Sequence, residues 1–238
     1  MDNKKFYGLD LLRGIAGYGV AITHYFYFVR KSVDFEYYSF LFVEIFFVLS
    51  GFVLSNQLIK IYEEKKNIKV FYLRRWYRTI PLYLVALIFY TAISNNFNFD
   101  FFKFLFFIQK AIPDFVNNDY FMVAWSLSIE EFFYLIFPIY LITLSKIKPS
   151  KLAIYFIIIL SLAKIISHEN FSNDFLRTGT FLRLDSIALG FLLSFYFSKL
   201  INFNKVTIFL TLILIIIFIN YKNIFFDNSG IFTVYFIF

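Results

Sequence analysis

The residues of this chain that could do chemistry are few, and they stand where polar residues are rare. Arg13 and His24 fall in one apolar run, Leu9–Val29. On an α-helix their separation is ~1100° of rotation and about 16 Å of rise, so guanidinium and imidazole share nearly one face. Asp10, one turn before Arg13, is spaced to pair with it. A neutral imidazole, with a reference pKa of about 6.5, suits general-base work on a hydroxyl. The plainer reading of Arg13 is an anchor that snorkels to the interface. The plainer reading of His24 is an interhelical hydrogen bond or a place in the outer headgroup layer. Singly, each plain reading stands level with function; on one shared face, the functional reading gains.

A second group is Trp125-Ser126-Leu127-Ser128-Ile129-Glu130-Glu131, which opens another apolar run. Adjacent helical carboxylates point ~100° apart, so they cannot both face one groove, and at least one must turn inward or be protonated. Trp125 and Tyr120 also read as an interfacial aromatic belt, but the acids lie on its apolar side, which favours function. Arg74, Arg75 and Arg78 precede the third run, in a stretch expected to be a loop. Arg75 and Arg78 could clamp an anion by forked hydrogen bonds; from the residues alone, a topological role is preferred. Arg183 and Asp185 open a further run, as a local ion pair or as one wall of a polar acceptor groove. Lys164 is expected to snorkel and His168 to lie in an outer loop.

The elements that must position these groups are membrane helices. Of 238 residues, 60% are hydrophobic, 24% aromatic and only 16% charged, against about 25% charged in soluble domains. This excludes a soluble enzyme, a secreted disulfide scaffold and a disordered linker. With no cysteine, there is no disulfide, thiol nucleophile or thiolate metal site, and no metal site is expected. A crossing needs about 20 mostly apolar residues. The candidates are Leu9–Val29, Tyr37–Ile59, Thr79–Ser94, Phe121–Leu144, Leu152–Ser167, Phe181–Leu200 and Val206–Tyr221, with Ile231–Phe238 as the start of an eighth. Phe101–Ile112 is too short to span and reads as re-entrant or interfacial. The expected fold is an all-α polytopic transmembrane helical bundle of about seven complete spans, forming one domain over residues 1–238.

The net charge of +7 is read through the positive-inside rule rather than as a nucleic-acid signal. With the N-terminus cytoplasmic, fourteen lysines and arginines face inward and seven outward, while Arg13 and Lys164 lie within spans, which accounts for all 23. The expected location is the inner (cytoplasmic) membrane. No internal repeat or linker is visible, and the abrupt apolar end suggests that the C-terminal part of the domain is missing.

Five blocks in order resemble acyltransferase family 3, the integral-membrane O-acyltransferases. They are Leu9-Asp10-Leu11-Leu12-Arg13-Gly14-Ile15-Ala16 with His24; Val43-Glu44-Ile45-Phe46-Phe47-Val48-Leu49-Ser50-Gly51-Phe52; and Arg74-Arg75-Trp76-Tyr77-Arg78 with Pro81-Leu82-Tyr83. The fourth is Trp125 to Glu131 with Tyr134 and Pro138, and the fifth is Arg183-Leu184-Asp185-Ser186-Ile187-Ala188-Leu189-Gly190. The resemblance implies transfer of an acyl group, usually acetyl, from cytoplasmic acetyl-CoA or another acyl-CoA to a carbohydrate or glycolipid acceptor. It makes His24 catalytic with Arg13 in support, puts Arg75 and Arg78 on the CoA phosphates, and matches Glu130 to the family's acid. Trp125, Arg183 and Asp185 are assigned to the acceptor. No permanently bound cofactor is implied; acyl-CoA is a substrate. The departures are Leu11 for the usual Gly, Glu44 for Asp, Phe132 where Gln is common, and seven complete spans where about ten are typical.

Chemically, His24 can act as a general base or carry the acyl group as an acyl-imidazole, and the base role is preferred. Two other classes compete: a transporter or flippase of a sugar or lipid precursor, whose path would also be lined by ionisable groups, and an inactive remnant of the enzyme. The transporter lacks repeat symmetry and paired broken helices in its favour.

Overall fold

The structure, a computed structural model, describes residues 7–30, 33–116, 120–167 and 170–200. Within them the chain is helical and has no strand. Its helices are α1 (Tyr7–Arg30), α2 (Val33–Glu63), α3 (Ile68–Ser94), α4 (Phe99–Leu105), α5 (Trp125–Thr143), α6 (Pro149–Ser167), α7 (Asn173–Thr178) and α8 (Leu184–Leu200). Four of these, α2, α3, α5 and α6, are long and apolar enough to cross a membrane. The expected first span is the 24-residue helix α1, which has the length but carries Asp10, Arg13 and His24. The expected sixth span corresponds to α8, apolar but only 17 residues long. The expected spans at Val206–Tyr221 and Ile231–Phe238 lie outside the described residues, as does His168.

Exposed apolar residues identify the solvent. Along α1, Leu11, Ile15, Tyr18, Ile22 and Tyr25 are all more than half exposed, at the three- and four-residue spacing of one helical stripe. On α3, Leu82, Val85, Ile88, Phe89 and Ile93 repeat the pattern. In water such stripes would drive association; against acyl chains they cost nothing.

The chain divides into two compact units at Val53/Leu54 and Ala188/Leu189. In the first, α1 lies on α2 through its small residues. A Cβ on Gly17 would stand 3.5 Å from the Phe46 ring, and one on Gly19 would stand 2.6 Å from the Phe42 ring. Gly190 of α8 is tighter, since its Cβ would lie 1.9 Å from the Val48 carbonyl oxygen and 2.9 Å from the Phe52 nitrogen. Backbone meets backbone there, as small residues allow in membrane helices.

In the second unit, α5 is the central helix. Ile129, Phe133, Phe137 and Leu141 are fully buried, and Phe137 packs edge-on to Phe156 of α6 at 5.2 Å. Tyr62, near the end of α2, fastens the turn after α5 by donating to the carbonyls of Ser145 (2.8 Å) and Ile147 (3.1 Å). At the opposite end of α3, Tyr83 donates to the Phe104 carbonyl of α4 at 2.9 Å. Thr91 and Tyr120 share a hydrogen bond of 2.6 Å. The short helix α4 has seven residues, a rise of about 10 Å, so the stretch Phe101–Ile112 cannot span.

Two expectations need correction. The arginine-bearing stretch before the third span is not a loop: Arg74, Arg75 and Arg78 sit inside α3, which begins at Ile68. Its polar first turns continue the helical hydrogen bonding, so apolarity marks only the second half of the helix. Nor does Lys164 snorkel. It is 1% exposed and forms an ion pair with Asp185, because a buried ammonium is tolerable only with a counter-charge.

Two outcomes test these contacts. Gly190→Ala destabilises the detergent-solubilised protein by about 1–3 kcal/mol or more, read as a lower thermal midpoint, whereas Gly14→Ala, with open space around it, leaves the midpoint unchanged. Lys164→Met alone costs about 3–5 kcal/mol, and the double variant Lys164→Met with Asp185→Leu recovers most of that loss.

Candidate active site

His24 stands on the α1 face turned to α2. Its Nε2 lies 3.0 Å from Ser39 Oγ, and Ser39 is buried while the imidazole is half-buried. The ring also stacks on Phe28, one turn later, with centroids 6.4 Å apart. Phe26 and Phe35 stack nearby at 5.1 Å and close the α1–α2 pairing around it. If Nε2–H donates to the serine oxygen, Nδ1 keeps its lone pair and becomes the basic nitrogen. The plain reading of His24 as an interhelical hydrogen bond is therefore met, and that bond is compatible with a free basic nitrogen on the ring.

Arg13 is half-buried on the same helix, about 16 Å nearer its start. Asp10 is exposed, and no ion pair joins it to Arg13; the one-turn spacing permits the pair, but water competes for an exposed carboxylate.

In the second unit the two glutamates separate as their ~100° offset requires. Glu130 is half-buried and accepts from the Tyr134 hydroxyl at 3.1 Å. Glu131 is the inward one, 7% exposed, and accepts from Thr79 Oγ1 at 2.7 Å. This hydrogen bond links α5 to α3. The resemblance points to Glu130, while the inward acid is Glu131; that one of the two turns inward follows from their offset, and which one depends on the rotation of α5 about its axis.

The two arginines of α3 part company. Arg78 is exposed. Arg75 is half-buried, with its guanidinium 5.5 Å from the centre of the Tyr134 ring and 6.0 Å from that of Phe71. It donates to Gln57 Oε1 at 3.4 Å and acts electrostatically on Glu131. Arg75, Glu131, Thr79 and Tyr134 thus form one polar cluster between α3 and α5, built from the second-unit residues that the motifs singled out together with Thr79, which they did not.

Trp125 is half-buried at the first turn of α5. Arg183 is 2% and Asp185 5% exposed. Asp185 does not simply pair with its near neighbour. Its carboxylate holds Lys164 of α6 and accepts from the Ser186 backbone N–H at 3.0 Å, while acting on Arg183 electrostatically. Both of its oxygens are thus engaged in the interior. Among the described residues, no group of three or more His, Cys, Asp or Glu could hold a metal ion.

The chain as a whole matches a known family. The profile described as an acyltransferase domain, that of acyltransferase family 3, matches residues 6–238. A Staphylococcus aureus (strain COL) protein, SACOL0978, provisionally named an O-acetyltransferase, is 31% identical over 212 residues. The O-acetyltransferase OatA of S. aureus strain NCTC 8325 is 31% identical over 211 residues. Each match covers 79% of this chain and 34% of the relative, so the chain spans about a third of the length of the curated relatives it matches. No solved structure matches. With the profile running over nearly all its residues, the chain belongs to acyltransferase family 3.

Proposed function

We propose that this chain is the membrane portion of an O-acyltransferase, which moves an acyl group, in the simplest case acetyl, from cytoplasmic acyl-CoA to a hydroxyl of a cell-surface or exported polysaccharide or glycolipid. The observation that carries this reading is His24, a half-open imidazole in an apolar helix, oriented by the buried Ser39 hydroxyl. The S. aureus relatives are named for O-acetyl transfer, which supports acetyl as the group carried.

In this mechanism His24 Nδ1 takes the proton of the acceptor hydroxyl as the oxygen attacks the thioester carbonyl carbon. The C–O bond forms and the C–S bond breaks. The proton then passes from the imidazolium to the departing CoA thiolate, so no other reagent is consumed. A positive environment stabilises the oxyanion in between, while Arg13, about 16 Å nearer the start of α1, supports on the donor side. Arg75 and Arg78 bind the CoA phosphates: Arg78 offers an exposed guanidinium, and Arg75 one already held against aromatic faces, so that little freedom is lost on binding. Glu131 holds Arg75 electrostatically from beneath, and Glu130 contributes from the half-exposed side of α5. The N-terminus is cytoplasmic, which puts the arginine end of α3 on the side where acyl-CoA is found.

His24→Ala abolishes acyl transfer from labelled acetyl-CoA while the protein stays folded in the membrane; wild-type transfer by this variant would overturn the assignment. Ser39→Ala lowers kcat by about ten-fold, the loss expected when a hydrogen bond fixing the tautomer is removed, with the KM for acyl-CoA unchanged. Arg75→Ala combined with Arg78→Ala weakens acyl-CoA binding by at least about ten-fold. Titration of the double variant with CoA, showing wild-type affinity, would return these arginines to topology alone.

A further inference from the structure

In the second unit, a cavity of about 130 Å³ opens among the loop after α4 and the start of α7. Gln109, Lys110, Asp114, Phe115, Ser172 and Phe175 line it. Its floor is a buried amide. Gln109 is 2% exposed, and its Nε2 donates to the Ala124 carbonyl at 3.1 Å and to the Ser128 hydroxyl. The Ala124 carbonyl can only accept, so the nitrogen must face it and Oε1 must lie on the other side. That oxygen is buried without a hydrogen-bond partner. The Thr180 hydroxyl is in the same state, one backbone hydrogen bond away, since Thr180 N–H donates to the Lys110 carbonyl at 2.9 Å. Buried polar atoms are nearly always satisfied, and an exception calls for a guest.

The loop is held in an unfavourable backbone shape to make this cavity. After α4, Ile108 N–H reaches the Lys103 carbonyl (2.9 Å) and Phe107 N–H the Phe104 carbonyl (3.0 Å), a Schellman ending. Its left-handed position, normally glycine, is Phe107 at φ 60°, a conformation unfavourable for a residue with a Cβ. Asp114 is also left-handed, at φ 53°. The segment from Phe107 to Asp114 supplies Gln109, Lys110, Ile112 and Asp114 to the lining. Lys103 steadies it by donating to the Phe115 carbonyl at 2.6 Å with its ammonium 4.5 Å from the centre of the Phe115 ring.

We infer that this cavity is a subsite for a neutral, hydroxyl-rich ligand, a single sugar ring of the acyl acceptor; the assignment to the acceptor rests on the acyltransferase reading above. The lining has one cation and one anion, Lys110 and Asp114, so it carries no net charge to attract an ion. Gln109 Oε1 and the Asp114 carboxylate both ask for hydroxyl donors and would repel a phosphate. Ser172 Oγ accepts from the Phe175 N–H at 3.2 Å and keeps its own proton to give. Phe115 and Phe175 add an apolar share to the polar groups, the mixed lining typical of small-molecule sites. The volume equals about four waters, which suits one ring entering edge-on from a mouth where Asp114 and Ser172 are exposed, with the remainder of a polymer outside. Gln109 bonds Ser128 of α5, one turn before Glu131 of the Arg75 cluster, so a sugar held here sits within a few helical turns of the arginines proposed to bind CoA.

The test is saturation-transfer NMR on the full chain in lipid nanodiscs, with methyl β-glucoside, methyl β-galactoside and N-acetylglucosamine as probes and inorganic phosphate as competitor. At least one sugar receives saturation from the wild-type protein, and phosphate does not displace it. Asp114→Gly removes the carboxylate at a position where glycine is unstrained, and Ile112→Trp fills the mouth from an exposed lining position; each weakens sugar binding by at least about ten-fold. His24→Ala leaves sugar binding unchanged, and CoA titration of the same samples reports on the donor side separately. Loss of CoA binding and transfer with sugar binding intact would count against the acyltransferase reading alone. No saturation for any of the three sugars, equal binding by both cavity variants, or displacement by phosphate would overturn the subsite.

Discussion

Hydrocarbon supplies no hydrogen bonds, so every polar side chain buried along these helices has to be answered by another part of the chain. This constraint decides how the helices pair. Ser39 answers His24 between α1 and α2, Thr79 answers Glu131 between α3 and α5, and Asp185 answers Lys164 between α8 and α6. Apolar side chains alone would leave helix rotation loosely specified, because lipid tails and leucine side chains are nearly equivalent neighbours. Each polar contact admits one rotation of each helix and rejects the rest.

The same contacts divide the polar inventory into structural and chemical shares. Lys164 and Asp185 are engaged with each other in the interior. Glu131 gives one oxygen to Thr79 and its field to Arg75, so it prepares a guanidinium rather than meeting a ligand directly. His24 keeps one nitrogen beyond its bond to Ser39, and Arg78 keeps its whole guanidinium at the surface. Gln109 spends its amide nitrogen on the start of α5 and leaves an acceptor over. The groups with unspent capacity lie where proton transfer, phosphate binding and hydroxyl binding are proposed.

Aromatic residues serve this economy of polar groups. Phe71 and Tyr134 hold Arg75 by their faces, which keeps a cation ordered without neutralising it. Tyr83, Tyr120 and Tyr62 bring apolar rings into the interior and spend their hydroxyls on backbone carbonyls or on Thr91. Part of the high aromatic share of the composition therefore has a mechanical use in this fold, because these three tyrosines pack as hydrophobes and bond oxygens that would otherwise be orphaned.

By itself the sequence determined the all-helical membrane class, the family and the small set of residues worth following, because composition and motif spacing are local properties that survive without coordinates. The pairing of Arg13 and His24 on one face of α1 was equally legible, as helical periodicity alone places them. What only the tertiary structure decided was partnership. That Lys164 is buried against Asp185 rather than snorkelling, that Glu131 and not Glu130 turns inward, that Arg75 and Arg78 diverge, and that α3 begins at Ile68 all depend on which helix lies alongside and how it is rotated. Ser39, Thr79 and Gln109 escaped notice for the same reason: a serine, a threonine or a glutamine in an apolar run is unremarkable until the group across from it is known.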